Sequence, residues 1–117
     1  MDVQVHDEGV GEVVLRPVGE IDMATVDVLE KALATALDRP GLRAVVVDLA
    51  GVAFLDSSGV RALVDAALRA RREGVTLRVV DPRPVVARVL RITAVGELLG
   101  LPAEVPVSPA ASFRGLN

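Results

Sequence analysis

The sequence predicts a single α/β domain in which three to four helices pack against a mixed sheet of four to five strands. Short apolar runs alternate with longer segments whose apolar residues recur at helical spacing, which is typical of this class. The chain has 117 residues and no internal repeat, which indicates one domain. Hydrophobic residues make up 51% of the chain but aromatic residues only 2%, so the core must consist of aliphatic side chains.

The N-terminal part predicts two strands. They cover residues 3–6 and 13–18, and the turn between them contains Gly9 and Gly11. Pro17 has no N–H group to donate to a neighbouring strand, so we expect a local irregularity at that point.

A first helix is expected after these strands. Residues 19–22 form a short connector, and helical spacing of apolar residues then predicts a helix over residues 24–38. Asp22 or Thr25 could cap this helix, because both side chains can accept a hydrogen bond from N–H groups of a first turn.

The middle of the chain contains the clearest strand and the clearest amphipathic helix. Residues 43–49 are apolar at nearly every position, which indicates a strand covered on both faces. A second helix is predicted over residues 58–73, with Asp65 as a possible ion-pair partner of Arg61 and Arg69. Its expected buried stripe consists of Val60, Leu63, Val64, Ala67 and Leu68.

The last third predicts one more strand, over residues 75–80, and a third helix that starts at the segment Asp81-Pro82-Arg83-Pro84. Residues 96–102 interrupt this pattern or form a short fourth helical turn. We place the domain at residues 1–103 and assign residues 104–117 to a weak edge strand and a flexible tail. In the third helix one face is formed by Val86, Val89, Leu90 and Thr93.

The composition argues against several classes of function. Cysteine is absent, which excludes disulfides, thiolate metal ligands and thiol catalysis, and we expect no metal or other cofactor. The net charge of −3 does not suit direct binding of nucleic acid. Residues 1–56 carry eleven acids and four bases, and residues 57–117 carry nine bases and five acids, which we interpret as a solvated surface.

Nothing in the sequence predicts membrane insertion or export. No apolar run approaches the length of about 20 residues that a membrane-spanning helix needs. The first residues lack the basic start and apolar core of a signal peptide. We therefore expect a soluble, cytoplasmic protein.

The most informative segment is Phe54-Leu55-Asp56-Ser57-Ser58-Gly59, between the buried strand and the second helix. The N–H groups of a first helical turn lack partners within the helix, and the helix dipole favours negative charge there. A serine at such a place could carry a phosphate. Capping is the alternative, although Gly59, Val60 and Arg61 stand where a capping box needs Glu or Gln.

In order and spacing, the motifs resemble those of the STAS-domain proteins, and within them the bacterial single-domain anti-sigma factor antagonists. Gly19-Glu20-Ile21-Asp22 resembles the first loop motif of that family. Val47-Asp48-Leu49, followed by residues 54–59, resembles its phosphorylation loop, and Asp81-Pro82 resembles the start of its third helix. The resemblance covers roughly residues 10–101 and implies the STAS fold.

The resemblance implies a switch in partner binding. In this family the unmodified antagonist binds an anti-sigma factor that is also a serine kinase, and a sigma factor is released. The kinase uses ATP to phosphorylate the serine directly after the aspartate, here Ser57, with Ser58 as the second choice. The phosphorylated form loses its partner, and a serine phosphatase restores it. The residues expected to bind the partner are Glu20, Asp22, Asp56, Ser57, Ser58, Gly59 and Arg61.

Arg61 departs from the family pattern, which commonly has a glycine at this position. A base in the first turn is opposed by the helix dipole by about 0.3–1 kcal/mol. Two accounts stay open for this residue. Asp65 compensates its charge, or Arg61 contacts either an acid on the partner or a phosphate on Ser57.

Several neighbours of the serine pair have structural explanations as well. Asp56 could orient the serine or engage the kinase, or it could cap the helix. For Asp22 we favour capping, which is compatible with partner contact. Phe54 is expected in the core, and Asp48 in a hydrogen bond to a loop.

Other classes of function fit less well. Residues 55–59 do not match the Gly-x-Ser-x-Gly motif of hydrolases, and the one histidine, His6, lies near the N-terminus, so no catalytic residue is assigned. A receiver domain needs a late lysine, but the one lysine is Lys31 in the first helix. The remaining alternative is a STAS interaction module without a phosphoswitch, such as a transporter-associated or stress-complex component.

Overall fold

The fold was analysed in a computed structural model that describes residues 1–101. Five strands and three helices alternate along these residues, which confirms the predicted α/β class. The edge strand and tail predicted for residues 104–117 lie outside the described residues. The elements are β1 (Asp2–Asp7), β2 (Glu12–Ile21), α1 (Val26–Leu37), β3 (Ala44–Asp48), β4 (Val52–Leu55), α2 (Ser57–Arg72), β5 (Thr76–Val80) and α3 (Pro84–Ile92).

The strands form one mixed sheet in the order β1-β2-β3-β5, and β4 pairs with β2 as well. β1 is antiparallel to β2, whereas β3 is parallel to both β2 and β5. The long strand β2 has two parallel partners in succession. Residues 12–15 pair with β3, and residues 19–21 pair with β4. β2 therefore carries the chain to the edge of the sheet at which β4 also ends.

Three expectations for this region are wrong. Residues 19–21 belong to β2 instead of a connector, because β4 offers them a parallel partner. β4 itself was not predicted; it is four residues long and its partner is distant in sequence. The register of β2 shifts between Gly19 and Glu20 and not at Pro17. Pro17 pairs with Val3 of β1 and lies between the residues of β2 that pair with β3 and those that pair with β4, so the strand continues through it.

The core is aliphatic and covers both faces of the central strand β3. Val45 and Val47 point to one face and Val46 to the other, and all three are buried. This confirms the prediction of a strand covered on both sides. The largest fully buried side chains are Leu15, Ile21, Leu29, Leu49, Leu55, Leu63, Leu90 and Leu99.

The buried face of α2 differs from the predicted stripe. Val60, Leu63 and Ala67 are buried as expected, but Val64 is half-buried and Leu68 is exposed. α2 packs against α1 as well as against the sheet, and small side chains let the two helices approach closely. The residues that widen the buried face are Ala62, Ala66 and Ala70.

The ion pairs expected along α2 are also replaced. Arg69 donates to Asp38 and to Glu73, with a distance of 2.9 Å from Nε to the glutamate, and not to Asp65. Asp38 is the C-cap residue of α1, so this guanidinium ties the ends of the two helices together.

In α3, Pro84 occupies the first helical position, and Val86 and Leu90 are buried. Thr93 follows these residues as the C-cap residue of α3. Thr93 is exposed, and its hydroxyl donates to the Val89 carbonyl at 2.8 Å. Residues 96–100 form hydrogen-bonded turns, which agrees with the expected interruption of the helical pattern.

Candidate partner-binding site

Two loops meet at the edge of the sheet where β2 and β4 end. The Asp22 loop (residues 22–25) connects β2 to α1, and the Ser57 loop (residues 56–59) consists of Asp56 after β4 and the first three residues of α2. The Asp56 N–H donates to the Ile21 carbonyl at 3.1 Å, and the Met23 N–H of the other loop contributes to the lowered pKa of the Asp56 carboxylate. The structure therefore brings together the two loops that the sequence singled out.

Asp56 caps α2. Its backbone is extended, and its Oδ1 accepts the N–H groups of Ser58 at 2.9 Å and Gly59 at 3.3 Å. The Ser58 hydroxyl donates to the same oxygen. This hydroxyl is the main reason why the pKa of Asp56 lies below its ordinary value; N–H groups add to the effect and partial desolvation opposes it. The carboxylate is therefore ionised at neutral pH.

Ser57 is the first residue of α2, and its side chain is exposed. Its hydroxyl makes no hydrogen bond to any residue in the described part of the chain. Capping therefore accounts for Asp56 and Ser58 but gives no role to Ser57. The two serines differ in the availability of their hydroxyls, although they are neighbours in the sequence.

Gly59 is buried beneath the first turn of α2. A Cβ at this position would lie 2.2 Å from Leu55 Cδ1 and 2.7 Å from Ile21 Cγ2, both on side chains that are themselves buried. The glycine therefore lets the helix start pack directly on the ends of β2 and β4. It shapes the site from below and is not part of the exposed surface.

Asp22 and Thr25 hold together the turn that leads into α1. Asp22 Oδ1 accepts the N–H groups of Ala24 at 2.9 Å and Thr25 at 3.1 Å. In return, the Asp22 N–H donates to Thr25 Oγ1 at 3.0 Å, and the Thr25 hydroxyl donates to the Glu20 carbonyl at 2.8 Å. The N-cap residue of α1 is Thr25, which makes no side-chain capping bond, so the carboxylate of Asp22 caps the turn before the helix and not α1 itself. The Glu20 side chain is exposed and that of Asp22 is half-buried.

Arg61 is exposed one turn after Ser57. Among residues 1–101 it forms no ion pair with Asp65 or with any other acid. Compensation of its charge by Asp65 is therefore not realised in the structure. The guanidinium is thus available to bind a negative group on a partner or a phosphate.

Sequence reasoning missed two exposed apolar side chains in this region. Phe54 was assigned to the core, but 44% of it is exposed, and it lies opposite Glu20 in the β2–β4 register. The sequence contains no usable signal for this exposure, because the strand β4 that places Phe54 was not predicted and does not alternate strictly between buried and exposed residues. Met23, in the Asp22 loop, is 83% exposed. No local pattern in the sequence distinguished it.

Asp48 lies outside this site and has the loop role that was predicted. Its Oδ1 accepts the Ala50 N–H at 3.0 Å. It also forms an unpredicted ion pair with Arg16 on β2, at 3.2 Å.

The STAS domain family model matches residues 2–109. The chain belongs to the STAS domain family. No helix within residues 1–101 is long and apolar enough to cross a membrane.

Solved structures of anti-sigma factor antagonists share this fold. SpoIIAA in its unphosphorylated form superposes with a TM-score of 0.74 at 20% identity, covering 99% of both chains. Bacillus SpoIIAA in the phosphorylated form gives a TM-score of 0.68 at 18% identity, over 97% of this chain and 100% of that one. An anti-sigma factor antagonist from Mycobacterium paratuberculosis gives 0.73 at 29% identity, over 94% and 92% of the two chains. Nearly the whole of this small STAS domain therefore corresponds to proteins that act on anti-sigma factors.

Proposed function

We propose that this STAS domain is an anti-sigma factor antagonist switched by phosphorylation of Ser57. In its unphosphorylated form it binds an anti-sigma factor that is also a serine kinase, and a sigma factor is freed. The observation that carries this proposal is the exposed Ser57 hydroxyl, which the cap of α2 does not use. Family membership and the likeness to antagonists, one of them solved with and without phosphate, support it.

Ser57 is a better acceptor than Ser58. Phosphorylation of Ser58 would replace the hydroxyl that donates to Asp56 and would set a second anion against an ionised carboxylate. The Ser57 hydroxyl can react without breaking a hydrogen bond within the described structure. The fold therefore favours the first serine of the pair.

The mechanism follows from added charge at an exposed place. A phosphate brings nearly two negative charges at pH 7. Because Ser57 begins a helix and is exposed, the fold can tolerate this group without unfolding. At a closed interface the same group adds bulk, desolvation and repulsion of any facing acid. A loss of about 3–5 kcal/mol weakens binding by roughly two to four powers of ten.

The surface offered to the partner combines acidic and apolar groups around the serine. Glu20 lies beside Phe54 in the strand register, and the Met23 N–H contributes to the lowered pKa of Asp56. Exposed apolar side chains next to charges are typical of interface anchors with a polar rim. We infer a cytoplasmic binding protein that has no catalytic residues of its own and depends on a serine phosphatase for reactivation.

Mass spectrometry tests the modification. The protein is incubated with ATP and a candidate anti-sigma factor kinase that has been shown to bind it, and the modified residue is located. Phosphate on Ser57 in the wild type, and none in Ser57→Ala, is expected. No modification, or modification of Ser58 alone, would contradict the proposal and favour a STAS interaction module without a phosphoswitch.

A binding assay tests the switch itself. Ser57→Asp is expected to bind the kinase at least tenfold more weakly than Ser57→Ala, because it adds charge at the interface. Thr35→Asp, on an exposed position of α1, is the control for added charge elsewhere. Equal affinity of the two Ser57 variants would overturn the interface mechanism.

A further inference from the structure

The start of α2 leaves a phosphate on Ser57 with few partners on the backbone. The N–H groups of Ser58 and Gly59 already bind Asp56 Oδ1, at 2.9 and 3.3 Å. The Met23 N–H contributes to the lowered pKa of the same carboxylate. A second anion at this helix start therefore has to find its counter-charge on a side chain.

Acids surround this position. Asp56 immediately precedes Ser57 and is ionised, and the Asp22 loop that packs beside it carries Asp22, with Glu20 just before it on β2. A phosphate added here would increase an existing concentration of negative charge. It would be destabilised unless a base lies within reach.

Arg61 is the one base in the first two turns of α2, residues 57–64. Its side chain is exposed and forms no ion pair with any acid of residues 1–101. Residues four apart on a helix face each other, with about 5–6 Å between their Cβ atoms. At this spacing an ion pair stabilises a helix more when the acid precedes the base. A phosphate on Ser57 and Arg61 have this order, whereas Arg61 and Asp65 have the reverse order.

We propose that Arg61 binds the phosphate on Ser57 and holds it over the first turns of α2. The proposal rests on Ser57 being the phosphorylated residue, but not on the identity of the kinase. Arginine suits this task because its planar guanidinium donates two parallel hydrogen bonds to phosphate oxygens. Phosphorylation then creates an ion pair inside one helix, and the switched-off state has a defined phosphate position.

A ³¹P NMR titration tests this pairing. Phosphoserine is incorporated at position 57 during translation, in the full chain, in the wild type and in Arg61→Gln. The guanidinium favours the dianion, so the second pKa of the phosphate is expected to be lower in the wild type by about 0.2–0.4 pH unit. Raising the salt concentration should reduce this difference.

Arg72→Gln is the matched control. It removes the same charge from an exposed position of the same helix, about 22 Å along the axis from Ser57. Its phosphate should titrate as in the wild type. If Arg61→Gln and Arg72→Gln give the same pKa, the pairing is refuted.

The two proposals fail separately. The phosphate is installed without a kinase, so the titration reports on Arg61 whether or not a kinase modifies Ser57. A kinase that leaves Ser57 unmodified contradicts the proposed function alone. A phosphate pKa that is unchanged by Arg61→Gln contradicts the proposed ion pair alone.

Discussion

The Asp22 loop and the Ser57 loop contain the same hydrogen-bonding device. In each, an aspartate at the end of a strand accepts the N–H groups of the residues two and three places on, and a hydroxyl of the loop also bonds to it. The hydroxyls come from Thr25 and Ser58. In both turns, therefore, the aspartate satisfies these N–H groups without help from the side chain of the residue that directly follows it.

The two loops differ at the residue that directly follows the aspartate. This residue is Met23 in one loop and Ser57 in the other, and both side chains are exposed. The comparison shows that the turn tolerates an apolar or a polar residue there, so stability does not require the Ser57 hydroxyl. A side chain that the fold does not need is free to serve a partner or a kinase.

The largest expected effect concerns packing beneath the Ser57 loop. This loop presses on Leu55 and Ile21, whereas Met23 and Ala24 of the other loop face solvent. We expect Gly59→Ala to lower the free energy of unfolding by about 1–2 kcal/mol, because overpacking costs about 1–3 kcal/mol and the helix propensity of alanine recovers up to about 1. Urea unfolding measures this.

Ser57→Ala is the control for Gly59→Ala, since it changes an exposed side chain of the same turn. It should stay within about 0.5 kcal/mol of the wild type. If Gly59→Ala is equally stable, the buried leucine and isoleucine can move aside, and the loops do not differ in packing.

The next effect compares the two aspartates. Asp56→Ala and Asp22→Ala each remove the acceptor of two N–H groups, and we expect each to lower the Tm by roughly 3–6 °C. The loss at Asp56 should be the larger, because the Met23 N–H of the neighbouring loop also contributes to the lowered pKa of this carboxylate.

Asp65→Ala is the matched control for these two variants, as it removes an exposed acid that forms no ion pair within residues 1–101. Its Tm should match that of the wild type. Equal losses at all three positions would mean that net charge, and not these hydrogen bonds, sets the effect.

Periodicity located most elements because it is a local signal. The three helices and the strand over β3 follow from apolar spacing along one segment. β4 and the end of β2 could not be located in this way, because each is stabilised by pairing with residues about 30 positions away. In addition, Gly19 followed by Asp22 is a pattern typical of a turn. The same long-range pairing exposes Phe54, which hydrophobicity alone had assigned to the core.

The candidate site was predicted in position but not in detail. Asp, Ser and Gly residues between a strand and a helix marked the loop, and the resemblance pointed to Ser57. Which serine hydroxyl bonds to Asp56 depends on the conformation of a single turn. Ser57 and Ser58 are identical neighbouring residues, so the sequence pattern could not show which of the two makes this bond. Gly59 showed no sign of its packing role, since its contacts come from β2 and β4.

A smaller effect is expected in acid. The pKa of Asp56 is lowered in the folded protein, chiefly by the Ser58 hydroxyl, so its contribution to stability is fully present above the unfolded pKa of about 3.9. That contribution is lost as the pH falls through the lower folded value. Thermal unfolding of the wild type and Asp56→Asn, from about pH 6 to 3, should show a difference in Tm that shrinks below about pH 4. A difference that does not change with pH would contradict the role of the ionised cap.

The smallest expected effect separates the two serines. Ser58→Ala removes a part-buried hydrogen bond that water can replace and should cost about 0.5–1 kcal/mol, whereas Ser57→Ala removes a hydroxyl without a partner in the described residues. Thr25→Val, which removes the corresponding hydroxyl of the Asp22 loop, should cost at least as much as Ser58→Ala, because that hydroxyl also bonds to the Asp22 N–H and the Glu20 carbonyl. Urea unfolding of the three variants decides the point. If Ser57→Ala costs as much as Ser58→Ala, the Ser57 hydroxyl has a structural role, and the reason to regard it as free for phosphorylation disappears.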